Sequence, residues 1–154
     1  MTLSIKIPGR SELRLEHLIL DVNGTLTNRG ALIDGVSERL GRLRHALQIH
    51  LVTADTFGTL EAIAERLQVT AVRVAGGEDK LRVLDELGRH GCAVIGNGAN
   101  DALVLEAAAV SFVVLGPEGA SGSALRSADV VCVSATDALD LLLDPQALSA
   151  TVRP

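Results

Sequence analysis

Short apolar runs alternate along the chain with segments whose apolar residues recur at helical spacing. Each run is nearly continuous, which is typical of parallel strands that are covered by helices on both faces. The runs predict six strands, at residues 18–21, 49–53, 69–74, 92–95, 110–115 and 130–133. The helical spacing predicts helices at residues 36–47, 59–67, 78–90, 100–108, 120–127 and 136–143.

Strands that alternate with helices of this length predict an α/β fold, a three-layer Rossmann-like sandwich around a mainly parallel sheet. Ligands of such folds bind at the carboxyl ends of the strands. Residues 2–7 could add an edge strand, Gly91 ends the third helix, and residues 144–154 read as a polar tail. With no linker or repeat in its 154 residues, the chain is expected to form a single domain over 1–154.

The composition disfavours nucleic acid as a partner. The chain has no Trp and no Tyr, so it lacks the aromatic platform on which bases stack. Its formal net charge of −5 also disfavours binding to a phosphate backbone.

The apolar pattern predicts a cytoplasmic protein with no membrane partner. No apolar run approaches the length of a transmembrane helix, and the first residues lack the features of a signal peptide. Cys92 and Cys132 lie within apolar runs and are interpreted as small core residues, with a metal or redox role as the weaker alternative.

Polar clusters follow four of the predicted strands. They are DVNGTLT at 21–27, TAD at 53–55, Lys80 at the start of a helix, and GNGAND at 96–101. A carboxylate at a strand end, followed by a turn that contains glycine, can attack phosphorus in line, which makes Asp21 a candidate nucleophile. Thr53 offers a hydroxyl to a phosphate oxygen, and Lys80 offers a compact positive charge.

These motifs, in this order, resemble the haloacid dehalogenase (HAD) superfamily. They are most similar to the phosphorylation domain of P-type ATPases, whose pattern is D-K-T-G-T-L-T, T-G-D, a Lys and G-D-G-x-N-D. The DxNGTL opening is typical of the small group of soluble P-type ATPase-like proteins. The resemblance covers about residues 16–143.

The resemblance implies a Mg²⁺-dependent phosphatase that forms an aspartyl phosphate. The catalytic residues would be Asp21, Asn23, Thr53 and Lys80. The phosphate-binding residues would be Thr53, Ala54, Lys80 and Asn100. The metal ligands would be Asp21, Asn23 through its backbone carbonyl, Asn97 and Asp101.

Structural explanations stay open for several of these residues. Asp21 and Asp101 could cap turns or helices, Thr53 could be an ordinary helix cap, and Lys80 could be a solvated surface residue.

Two asparagines depart from the family pattern. Family phosphatases carry an aspartate as general acid/base where this chain has Asn23, and an amide cannot shuttle a proton. P-type ATPases have Thr at that position and still phosphorylate their aspartate, so Asn23 bears on turnover more than on phosphoryl acceptance. Asn97 replaces a metal-binding aspartate and removes one negative charge, which predicts weak Mg²⁺ binding.

The spacing of the motifs predicts a capless protein with an open site. Asp21 and Thr53 are 32 residues apart, and Thr53 and Lys80 are 27 apart, which leaves no room for a cap or nucleotide-binding domain. The haloacid pocket needs a cap, so a dehalogenase is disfavoured. An open site suits a small or macromolecular phosphorylated substrate, and the resemblance makes a homo-oligomer possible.

The sequence therefore favours a Mg²⁺-dependent phosphohydrolase of unknown substrate, slow because of Asn23 and Asn97. The competing hypothesis is a non-catalytic module that binds phosphate or a partner protein through the same cleft.

Overall fold

The computed structural model describes residues 1–54 and 58–154 of the chain. In chain order, the strands and helices in these residues are β1 (Leu3–Ile5), β2 (Leu13–Leu15), β3 (His17–Leu20), β4 (Thr27–Asn28), β5 (Ala31–Leu32), α1 (Val36–Leu43), β6 (Gln48–Thr53), α2 (Leu60–Leu67), β7 (Thr70–Arg73), α3 (Gly77–Leu87), β8 (Cys92–Gly96), α4 (Ala102–Ala107), β9 (Val110–Val114), α5 (Gly122–Ser127), β10 (Val130–Cys132), α6 (Ala135–Leu143) and α7 (Pro145–Val152).

The central sheet confirms the predicted fold class. Among the described residues, six strands pair in the order β10-β9-β8-β3-β6-β7, and every pair is parallel. These are the six apolar runs of the sequence. Because β3 lies between β6 and β8, the segments that follow these three strands are brought side by side.

The strands bury side chains on both faces of the sheet. Leu18 and Leu20 of β3 belong to one hydrophobic cluster, whereas Ile19 between them belongs to another. The first cluster includes buried residues of α1, α2, α6 and α7, and the second includes those of α3, α4 and α5. Helices therefore cover both faces, which explains why the strands are continuously apolar.

The two cysteines lie in these clusters, as the sequence predicts. Cys92 and Cys132 are buried and unbridged, and burial raises the pKa of each thiol to about 11. A thiol with such a pKa remains protonated and unreactive at neutral pH.

Two small antiparallel pairs stand outside the main sheet. The strand predicted in residues 2–7 is present as β1, but it does not form an edge of the main sheet, because it pairs with β2 in a separate two-stranded sheet. The second pair, β4 and β5, is a hairpin between Asp21 and α1. The described chain between β3 and β6 thus consists of this hairpin and α1, in agreement with the predicted absence of an inserted domain.

Several helix ends differ from the sequence predictions, and α1 ends at Leu43 rather than at residue 47. The third helix ends at Leu87, because Gly88 takes a φ of +94° that suits glycine, and residues 89–91 form a short 3₁₀ turn. The predicted polar tail is largely helical. Asp144 caps α7 by accepting a hydrogen bond from the Ala147 N–H, Pro145 occupies the first turn, and Leu148 is fully buried.

No helix in residues 1–54 and 58–154 is long and apolar enough to span a membrane.

The burial of Leu148 predicts that α7 is part of the cooperative fold. Replacing Leu148 by Ala should lower the free energy of unfolding by about 2–5 kcal/mol, because the change leaves a cavity in the core. Urea unfolding measures the change. Leu125→Ala is the matched control, since Leu125 is 42% exposed and its loss should cost far less. Equal effects in the two variants would show that α7 frays independently.

Candidate functional site

The candidate site lies where three neighbouring parallel strands end. Leu20 is in register with Leu51 of β6 and Ile95 of β8, so Asp21 leaves the sheet between those strands. The Asp21 N–H donates to the Ile95 carbonyl at 3.0 Å. Thr53 ends β6, and Asn97 directly follows β8. The sheet itself therefore gathers the motifs, as the positions of the strand ends predict.

A cleft of about 260 Å³ opens at these strand ends. It is lined by Asp21, Asn23, Thr53, Ala54, Asn97, Gly98 and Asn100. The structure thus brings together nearly all of the residues predicted for catalysis, phosphate binding and metal binding. Asp55 of the TAD motif lies outside the described residues.

Lys80 lies behind the cleft and is not among the residues that line it. Only 1% of its surface is exposed, so the alternative of a solvated surface lysine is wrong. Its ammonium donates to Asp21 Oδ1 at 2.9 Å and to Asp101 Oδ1 at 2.6 Å. Since an ammonium has three protons, these bonds leave one for a further acceptor.

Asp101 uses both carboxylate oxygens inside the protein. Oδ1 accepts from Lys80, and Oδ2 accepts from the backbone N–H groups of Asn97 and Gly98 at 3.0 Å each. Gly96 leaves the space for this carboxylate, since a β-carbon there would come within 2.6 Å of Asp101. Asp101 therefore holds Lys80 and the turn after β8 in place.

The buried cluster has two carboxylates for one ammonium, and both burial and this excess of negative charge affect the ionisation of Asp21. Burial, reinforced by the negative charge of Asp101, raises the pKa of Asp21 to about 6. Burial alone would lower the pKa of Lys80, but the attraction of Asp21 and Asp101 outweighs it and the pKa is raised. Lys80 therefore stays protonated, whereas Asp21 titrates near pH 6.

Thr25 is a member of the site that the sequence reasoning missed. Its hydroxyl lies 3.1 Å from Asn97 Oδ1 and 3.5 Å from Asp21 Oδ2. A hydroxyl donates one proton at a time, so the shorter contact favours Asn97 and leaves Asp21 Oδ2 accessible. Thr25 is the first of the two threonines in DVNGTLT, but the spacing of the motif does not show where its side chain points.

Gly24 allows the turn after Asp21 to approach the turn after β8. Its φ of +76° suits glycine, and a β-carbon there would lie 2.6 Å from Asn97 Nδ2. Asn97 is held from its other side, since its Nδ2 donates to the Gly119 carbonyl at 3.0 Å. The amide is therefore oriented with its oxygen toward Thr25 and Asp21.

The possible metal donors are hard oxygens. No group of three His, Cys, Asp or Glu side chains placed to hold an ion occurs in the described part of the chain. The cleft instead offers the Asp21 carboxylate, the Asn97 amide oxygen and the backbone of Asn23. Such donors fit Mg²⁺ better than Zn²⁺ or copper, which prefer nitrogen and sulfur.

The raised pKa of Asp21 predicts that Asp21→Asn stabilises the protein. Because folding favours the protonated carboxyl, the folded state loses stability as pH rises from about 4 through about 6, and the full cost persists above that range. The variant should gain about 1–3 kcal/mol at pH 8 and much less at pH 4.5. Urea unfolding in EDTA at both pH values measures the gain.

Asp85→Asn is the control for this experiment. The hydrogen bond from Arg89 lowers the pKa of Asp85, so its replacement should cost stability at pH 8 rather than add it. If both variants shifted stability in the same direction at pH 8, the conclusion that the buried charge of Asp21 destabilises the fold would be wrong.

Removing the ammonium should have the opposite effect. Lys80→Met leaves two buried carboxylates without a cation and should destabilise the fold by about 3–5 kcal/mol at pH 8. The loss should be smaller at pH 5, where Asp21 can take up a proton. Arg82→Met on the same helix is the matched control, because the side chain of Arg82 is 72% exposed. A loss at Lys80 no larger than at Arg82 would contradict the buried-cluster description.

Comparison with known proteins identifies close relatives in an archaeon. No protein-family model matches the chain. The chain is 42% identical over 78 residues to the uncharacterised protein MJ0073 of Methanocaldococcus jannaschii, an alignment that covers 48% of this chain and 84% of that protein. It is 41% identical over 39 residues to the uncharacterised protein MJ0072 of the same organism, covering 25% of this chain and 89% of that protein.

Comparison with solved structures identifies the fold. A cobalt-bound deoxy-D-mannose-octulosonate 8-phosphate phosphatase from Haemophilus influenzae superposes with a TM-score of 0.71 and 17% identity, covering 88% of this chain and 91% of that chain. The 3-deoxy-D-manno-octulosonate 8-phosphate phosphatase from Moraxella catarrhalis gives a TM-score of 0.65 and 16% identity, covering 89% and 92%. The catalytic domain of the CPx-ATPase CopB-B gives 0.59 and 21%, covering 77% of this chain and 46% of that chain.

These matches confirm the fold that the motifs suggested. The chain belongs to the same family as MJ0073 of Methanocaldococcus jannaschii, and its fold is that of the HAD superfamily.

Proposed function

We propose that the protein is a Mg²⁺-dependent phosphohydrolase that acts through an aspartyl phosphate on Asp21. The observation that carries this proposal is the pairing of Asp21 with a buried lysine at the floor of an open polar cleft. Oδ1 is held by Lys80 at 2.9 Å, so the carboxylate has a fixed orientation, and Oδ2 is left to attack.

The chain's own residues supply most of the first half-reaction. An oxygen of Asp21 forms a bond to phosphorus, and the bond from phosphorus to the leaving oxygen breaks. The esterified group of the substrate departs as an alkoxide, which must gain a proton. Thr53, Ala54 and Asn100 line the cleft and would hold the phosphoryl group there. The Lys80 ammonium, bonded to Asp21 directly behind the cleft, would offset part of the charge of the same group.

The second half-reaction restores Asp21. Water attacks phosphorus, inorganic phosphate leaves, and the carboxylate re-forms. Both halves benefit from a group that gives and accepts a proton beside the phosphoryl group. Asn23 occupies that position and cannot do so, which makes slow turnover the expected behaviour.

The oxygen donors of the cleft fit Mg²⁺. Asp21, the backbone carbonyl of Asn23, and the Asn97 amide oxygen would hold it, while Asp101 positions Lys80 rather than binding the ion. When bound, the ion offsets the charge of the phosphoryl group during transfer. Two of the structural neighbours support this proposal, since the Haemophilus influenzae phosphatase is described as cobalt-bound and the Moraxella catarrhalis phosphatase as a complex with a magnesium ion, a phosphate ion and a KDO molecule.

The proposed substrate is a phosphoester, small or macromolecular. The cleft is open, and the described chain between β3 and β6 holds only the β4–β5 hairpin and α1, neither of which lines the cleft. The neighbouring sugar phosphatases support the phosphoester class, whereas the nature of the esterified group follows from nothing in the cleft.

A second candidate function is favoured by Asn23. A cleft that binds phosphate and lacks a proton shuttle could serve a non-catalytic module that recognises a phosphorylated partner. The two functions differ in whether Asp21 is consumed and regenerated.

Turnover of para-nitrophenyl phosphate distinguishes the two functions. We expect slow hydrolysis that needs Mg²⁺, is abolished by EDTA, and is absent from Asp21→Asn. Asn23→Asp restores the missing carboxylate and should raise turnover by up to about 10²–10⁴-fold. If fresh Asn23→Asp protein with saturating Mg²⁺ is no faster than the parent on any phosphoester tested, the catalytic proposal is wrong and the binding module is the better account.

Deamidation must be controlled in this assay. Asn23-Gly24 and Asn97-Gly98 are both Asn-Gly pairs, and conversion to aspartate during storage would create the variants under test. Intact-mass measurement of fresh and aged protein, paired with rates for each, separates encoded activity from acquired activity.

A further inference from the structure

A tight turn after β9 lies beside Asn97, which lines the cleft. The Gly119 N–H donates to the Gly116 carbonyl at 3.3 Å, so residues 116–119 form a β-turn with Pro117 and Glu118 at its corners. Proline at the first corner restricts the backbone of such turns. The side chain of Glu118 therefore projects from a rigid turn and not from a long loop.

Two hydrogen bonds fasten this turn to Asn97. The Asn97 Nδ2 donates to the Gly119 carbonyl at 3.0 Å, and the Ser121 N–H donates to the Asn97 carbonyl at 2.8 Å. The turn on which Glu118 lies is thus bonded directly to a proposed metal ligand.

Glu118 also lies against the turn that follows Asp21. A β-carbon on Gly24 would be 3.2 Å from the β-carbon of Glu118 and 2.6 Å from Asn97 Nδ2, so both residues border the same point. The carboxylate oxygens of a glutamate lie three bonds beyond its β-carbon, so the side chain of Glu118 is long enough to turn toward Asn97, although Glu118 is not among the residues that line the cleft. Glu118 is exposed, and it forms no ion pair with the residues in ranges 1–54 and 58–154.

The proposed metal site lacks negative charge. Asp101 is occupied by Lys80 and two backbone N–H groups, and Asn97 is neutral, so Asp21 is the one carboxylate among the proposed donors. That carboxylate is in turn partly offset by Lys80 at 2.9 Å. The affinity of an oxygen site for a divalent cation rises with its ligand charge, so a second carboxylate nearby would matter.

We infer that Glu118 provides this second carboxylate and binds the Mg²⁺ of the proposed phosphohydrolase, directly or through one coordinated water. The inference rests on the proposed function, since it concerns the same cation site. Glu118, on the turn at 116–119, would then supply the negative charge that the neutral Asn97 does not. Glu118 acts on the cation and takes no part in attack on phosphorus.

Calorimetric titration with MgCl₂ alone, without substrate, tests the inference. The proteins compared are the parent, Glu118→Gln, Glu118→Asp, and Glu86→Gln as a matched control on the exposed surface of α3. Glu118→Gln should weaken Mg²⁺ binding by about 10-fold, the lower end of the effect of removing an outer ligand. Glu118→Asp keeps the charge and should retain most of the affinity, and Glu86→Gln should match the parent.

The same titrations in an Asn97→Asp background test the charge argument. Asn97→Asp should bind Mg²⁺ more tightly than the parent, and Glu118→Gln should then cost less, because the site already has its second carboxylate. This background also raises the signal if the parent binds too weakly for calorimetry.

The outcomes separate the inference from the proposed function. If Glu118→Gln binds Mg²⁺ as tightly as Glu86→Gln in both backgrounds, the role of Glu118 is overturned while the proposed function stands. If neither the parent nor Asn97→Asp binds Mg²⁺, the metal-dependent function and the inference both fail. Loss of affinity in Glu118→Gln, with retention in Glu118→Asp, supports a charge-based role that a merely structural residue would not produce.

Discussion

The buried contact of one ammonium with two carboxylates governs the rest of the site. Lys80, Asp21 and Asp101 are nearly inaccessible to water, and burying charges is costly unless they are paired at short distance. Burial, together with the negative charge of Asp101 that one ammonium cannot fully compensate, raises the pKa of Asp21. The residual charge sits at the one member that borders the cleft. The energetic cost of burying the Asp21 charge and the proposed reactivity of Asp21 thus have the same origin.

The parallel sheet makes this contact possible. Asp21, Asn97 and Lys80 belong to three separate segments, and only the adjacency of β3 and β8 with α3 packed nearby brings them together. Close approach also needs missing side chains, since β-carbons at Gly24 or Gly96 would overlap Asn97 or Asp101. The glycines of the two motifs are therefore explained by the space that neighbouring polar groups occupy.

The two asparagines give this cleft its particular balance of charge. Asn23 removes a proton shuttle, and Asn97 removes a negative donor while keeping an oxygen directed at Asp21 by Thr25 and Gly119. The proposed chemistry is therefore phosphoryl acceptance with slow release. A carboxylate on the turn at 116–119 would restore charge for the cation without restoring the shuttle, so metal binding and turnover are separable properties here.

Apolar runs and strand-end polar residues were enough to predict the six parallel strands, the three layers, and the convergence of Asp21, Thr53 and Asn97. That is because burial on both faces of a sheet leaves a continuous apolar signal in the sequence. Helix α7 was missed because its apolar positions are mostly small or interrupted by Ser and Gln, so one buried leucine carried little periodic signal. The separate β1–β2 pair was missed because three-residue strands have no clear period.

Only the tertiary structure decided that Lys80 is buried, that Asp101 faces inward, and that Glu118 lies beside Asn97. Those contacts join residues distant in the chain, and their directions depend on packing that no local pattern encodes.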